Sequence, residues 1–80
     1  MPLFLLSHHH EPAECGRMFA SWHGFESPLR HQDALSSCPH GDHGLWWFVD
    51  APDERAALGR LPECLSRRTE VTRVSYFPIP

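Results

Sequence analysis

Residues 37–54 read SCPHGDHGLWWFVDAPDE, and this stretch holds a turn, a strand and a helix start in succession. Gly41 and Asp42, set between Pro39 and Gly44, supply the chemistry of a tight reversal. Leu45 to Val49 is an apolar, aromatic and β-branched run of strand length. Asp50, Pro52, Asp53 and Glu54 then open a helix. Before the turn, Ala34 to Cys38 is the short partner strand that completes a hairpin. After it, Ala57, Leu58, Leu61 and Leu65 form an apolar helical stripe that Gly59 and Pro62 break, so this helix is short or in two pieces. Val71 to Phe77 alternates with Thr72, Arg73 and Ser75, which predicts a half-exposed last strand stopped by Pro78 and Pro80.

At the other end, Leu3 to Ser7 reads as a first strand that runs into His8, His9 and His10. Pro12 and Glu14 suit the first turn of a helix. Cys15, Met18, Phe19 and Trp22 fall at i, i+3, i+4 and i+7, one helical face, and Gly24 ends it. Phe25 to Asp33 is a connection in which Ser27 and Pro28 could cap a short turn. The order strand, helix, strand, strand, helix, strand defines one α+β domain over residues 1–80, of the ferredoxin-like βαββαβ arrangement. Its four-stranded antiparallel sheet should have strands one and three in the centre and both helices on one face. The other face lacks a cover, and Phe4, Leu6, Trp46, Trp47 and Phe48 give it bulk, which predicts a homodimer through the open sheet face.

Composition narrows the partners. The net charge is −3 and all seven basic residues are Arg, so the concentrated basic face of a nucleic-acid binder is missing. No segment approaches the ~20 apolar residues of a membrane helix, and Pro2 to Leu6 has no basic segment before it. The three cysteines therefore read as reduced thiols of a cytoplasmic protein. The absence of Lys and Asn, with Ile79 the single isoleucine, points to a high-G+C bacterial genome. A domain of 80 residues has a marginal core and calls for a metal or a second copy. Seven His residues are the outlier.

The topology turns that outlier into a site. The end of strand one, the start of helix one and the turn between strands two and three share one sheet edge. His8, His9, His10, Glu11 and Cys15 should therefore approach Cys38, His40, Asp42 and His43. Imidazole and thiolate suit soft divalent metals, and His8 and His10, one residue apart on a strand, project from one face. The expected ligands are His8, His10, Cys38 and His43, for nickel, zinc or copper. Cys15 reads as a small buried hydrophobe, and His23 and His31 as surface residues at the opposite end. Trp46 and Trp47 should point to opposite faces.

The PLFLL start, HHHEPAEC running into helix one, SC-x-x-G-x-H-x-x-WW and the VDAPDE helix start resemble the layout of short bacterial proteins of the ferredoxin-like, dimeric α+β-barrel kind. That resemblance implies either of two functions. Some members bind nickel or other transition metals at the sheet end or dimer interface, which fits storage, sensing or delivery. Others are monooxygenases, cyclases or isomerases that enclose a small-molecule ligand, where a His oriented by Glu11 or Asp42 would shuttle a proton.

Overall fold

The computed structural model describes all of residues 1–80. Its elements are β1 (Leu3–His9), a 3-10 turn (Pro12–Glu14), α1 (Cys15–Ala20), β2 (Leu35–Ser36), a second 3-10 turn (Cys38–His40), β3 (Gly44–Asp50), α2 (Glu54–Leu58), α3 (Glu63–Ser66) and β4 (Thr69–Val74). They form an α+β domain around one four-stranded antiparallel sheet, ordered β2-β3-β1-β4. No helix is long and apolar enough to cross a membrane.

Strand alternation fixes the two faces. The inward row of β1 is Phe4, Leu6 and His8, opposite Val49, Trp47 and Leu45 of β3. Met18 of α1, Ala57 of α2 and Leu65 of α3 close over that row, with Ala51 and Leu61, to complete the core. Phe4 and Leu6 thus face the helices and do not contribute to the open face. That face carries Leu3, Leu5, Trp46 and Phe48, their neighbours in the register. Trp46 and Trp47 do point apart: Trp47 is in the core, and Trp46 lies edge-on to His9 at 5.5 Å between ring centroids.

Three elements differ in extent from the sequence reading. α1 stops at Ala20, where the Ser21 hydroxyl donates to the Met18 carbonyl at 2.6 Å and competes with helical continuation. Phe19 is consequently left exposed, while Trp22 packs on Trp47 at 6.1 Å. β2 is cut to two residues, and serine side chains take backbone donors on either side of the turn that follows it. Ser36 Oγ accepts from the Cys38 N–H and Ser37 Oγ from the Gly44 N–H, and Gly41, at φ 92°, closes the turn that follows. β4 begins at Thr69 and ends at Val74, since its partner β1 offers His8 at one end and Leu3 at the other. The second helix is in two pieces, α2 capped by Asp53, whose carboxylate accepts the Ala56 N–H at 2.8 Å.

Leu6 is fully buried at the centre of this core. Leu6→Ala should destabilise the domain by about 3 kcal/mol, the cost of lost transfer energy plus a cavity. Thr72→Ala, on the exposed side of β4, should cost under about 0.5 kcal/mol. Urea unfolding of the two variants against the parent chain checks the difference, and equal midpoints would contradict the assigned faces.

Candidate metal centre

The core row of β1 ends in a cluster of nitrogen and sulfur atoms. β1 pairs with β3 down to His9 opposite Gly44, and the next rung is the His10 N–H donating to the His43 carbonyl at 3.0 Å. That rung sets the His10 and His43 rings side by side, 5.5 Å between centroids. The start of α1 brings in Cys15, and the 3-10 turn after β2 brings in Cys38. One ligand atom from each of His10, Cys15, Cys38 and His43 lies within 4.8 Å of all the others. Cys15 Sγ is 3.1 Å from His10 Nε2 and 3.0 Å from His43 Nδ1, and Cys38 Sγ is 4.0 Å from His10 Nε2. Gathered this closely, the four atoms make a two-sulfur, two-nitrogen donor set of the kind that holds a tetrahedral metal ion.

Of the expected ligands, the structure gathers His10, Cys38 and His43, and the fourth position in the group is held by Cys15. His8 stands one ring behind. It is fully buried, with Nδ1 3.2 Å from the Leu65 carbonyl and Nε2 3.1 Å from His10 Nδ1. A carbonyl only accepts, so the proton of His8 is on Nδ1 and its Nε2 is an acceptor. His10 then donates from Nδ1, which leaves its Nε2 lone pair bare toward the two cysteines. Thr69 Oγ1 braces the same end, 3.3 Å from His8 Nδ1, while its hydroxyl donates to the Leu65 carbonyl. This is the outer hydrogen bonding that fixes the tautomer of a ligating imidazole.

The remaining candidates lie outside the group. Asp42 accepts from the Ser37 hydroxyl at 3.1 Å. Glu11 exchanges capping contacts with Glu14 at the start of the 3-10 turn, and Glu14 is bound in turn by Arg17 and Arg68. Neither Asp42 nor Glu11 orients a His ring. His9 is on the open face beside Trp46, and His40 is exposed. Cys64 is half-buried against the core. His23 and His31, expected at the opposite end, line a cavity between α1, the 25–34 loop and the β3 edge.

The electrostatics of the cluster suit a cation. Burial, and then the neighbouring His10, hold His8 below its ordinary value, and burial followed by His43 does the same to His10. Both rings are therefore neutral near pH 7, the ligating form. Burial and the adjacent Cys38 push the Cys15 thiol up, because two thiolates repel when nothing positive lies between them. Set against family models, curated proteins and solved structures, the chain gives no match.

These shifts fix the pH dependence of the metal-free fold. His8 and His10 titrate lower when folded, so below about pH 6.5 the unfolded chain binds protons that the folded one refuses, and stability falls with falling pH. Cys15 titrates higher when folded, so above about pH 8.5 the unfolded chain loses a proton that the folded one keeps, and stability falls again. The urea midpoint of chelator-treated, reduced protein should peak between those limits. A midpoint flat from pH 5 to 7 would contradict the buried placement of the two imidazoles.

Proposed function

We propose that the chain is a zinc-binding domain in which His10, Cys15, Cys38 and His43 hold one ion that closes the end of the sheet. The observation that carries this reading is the gathering of one ligand atom each from His10, Cys15, Cys38 and His43 within 4.8 Å. The contacts from the Leu65 carbonyl through His8 to His10 direct the free His10 nitrogen into that group. Two sulfurs and two nitrogens in a closed set favour zinc over nickel or divalent copper, which prefer tetragonal sites. Four protein ligands drawn from β1, α1 and the β2–β3 turn leave no position for substrate, so the ion is structural and retained. It supplies what an 80-residue domain with fourteen buried residues lacks. Thiolate ligands fit a reducing, cytoplasmic setting.

The strand order supports placing the domain among ferredoxin-like folds. It also supports the second half of the proposal, a homodimer through the open sheet face. On that face Leu35 and Phe48 are exposed large apolar residues.

Cobalt(II) substitution tests the ligand set. The reduced chain should bind one cobalt with thiolate charge-transfer and tetrahedral visible bands, and zinc should displace it. Cys15→Ser should abolish those bands, whereas His8→Ala should keep them with affinity about 10- to 100-fold weaker, as for loss of an outer hydrogen bond. Full binding by Cys15→Ser would remove Cys15 from the set, and no binding by the parent would end the proposal.

Light scattering tests the dimer. The parent should run at twice the chain mass at micromolar concentration, and Phe48→Glu should halve it. A parent that stays monomeric as its concentration rises would refute the interface.

A further inference from the structure

The cavity beneath the 25–34 loop is separate from the metal group and has the make-up of a ligand site. Its volume is about 410 Å³, within the ~300–1,000 Å³ range of small-molecule pockets. Trp22, Leu29, Leu45 and Trp47 line its apolar part, and none of His10, Cys15, Cys38 or His43 reaches it. The Trp22 and Trp47 rings are in direct tilted contact, 6.1 Å between centroids with their planes at 50°, so a flat molecule can lie against the open side of Trp22 but not between the two. Phe19, half of whose surface is exposed, completes the aromatic wall.

The polar side of the wall has a direction. Arg30 is half-buried there, and the ion pairs of the chain use Glu14 and Glu63 and leave Arg30 without a carboxylate. Asp33, the one acidic residue of the wall, is exposed and unpaired with Arg30. His31 follows Arg30 at φ 65°, a left-handed conformation uncommon for a non-glycine residue. The loop is tied down by the Ser27 hydroxyl, which donates to the Arg60 carbonyl at 2.6 Å. A half-buried guanidinium without a partner, in one cavity wall with the Trp22 and Phe19 rings, matches a planar ring that carries a carboxylate.

We propose that this cavity binds a planar aromatic acid, its ring against Trp22 and Phe19 and its carboxylate on Arg30. The test is a titration of the ¹⁵N-labelled chain, reduced and as purified, with 2-naphthoate and with its neutral amide, so that the outcome does not depend on metal. Saturable shifts of the Trp22 and Trp47 indole N–H signals are expected, with Trp46, on the opposite sheet face, unmoved. Arg30→Gln should weaken naphthoate about tenfold or more and leave the amide unchanged, its spectrum otherwise matching the parent. Phe19→Ala, which removes an exposed wall residue, should weaken both compounds. Absence of saturable shifts in the parent, shifts centred on Trp46, or equal naphthoate affinity in Arg30→Gln would each overturn the proposal.

Discussion

The pairing of β1 with β3 is the constraint on which the rest of the structure depends. Seven rungs run from Leu3 opposite Asp50 to His9 opposite Gly44, and side chains alternate faces along them. A slip of one residue would turn Phe4, Leu6 and His8 out to the open side and bring Leu3, Leu5 and Ser7 in. The same slip would part His10 from His43, because their rung is the continuation of that ladder. Gly44 helps to pin the register. The Trp46 ring folds over it so closely that any Cβ there would collide with the indole.

Much of this was legible in the sequence, and the reason is geometric. Element order alone determines which loop ends share a sheet edge, so HHHEPAEC and CPHGDH could be brought together across about 30 residues without any side-chain detail. What periodicity could not supply is position along an element. Cys15 does share a helical face with the buried Met18, as its spacing says, but helical phase names a face and not an end. At the first residue of α1 the core gives way to His10 and Cys38. His8 and His10 likewise share a strand face, yet successive same-face residues lie about 6.7 Å apart along a strand. His8 therefore sits one layer deeper, where the Leu65 carbonyl and Thr69 meet it. That carbonyl, a backbone group at the end of α3, has no signature in the residue pattern.

The chemistry of the cluster follows from what it omits. Asp42 and Glu14 are engaged elsewhere, so the group consists of two imidazoles and two thiols with no carboxylate. Neutral groups tolerate half-burial at the sheet end without a counter-charge. When both thiols ionise, a divalent cation balances them and the set is neutral again. An added carboxylate would leave excess charge in a partly desolvated place, and a lysine would compete for the thiolates. The absence of both from the cluster is thus a condition for a two-sulfur, two-nitrogen set to ionise there only together with a cation.

The stop of α1 at Ala20 has consequences on the other side of the molecule. Had the helix run through Trp22 as its apolar spacing predicts, Phe19 and Trp22 would have shared one packed stripe against the sheet. The Ser21 hydroxyl and the turn through Gly24 end it early, so Trp22 meets Trp47 from the turn after the helix, and the chain then crosses from α1 to β2 as a loop. The 25–34 loop makes that crossing, held at Ser27 to the link between α2 and α3. The loop packs Leu29 and Ala34 against the core and leaves Arg30 and His31 in the cavity wall. The cavity is therefore what remains beside a helix that stops short, where the apolar residues of the loop reach the core and its polar ones stay in the wall.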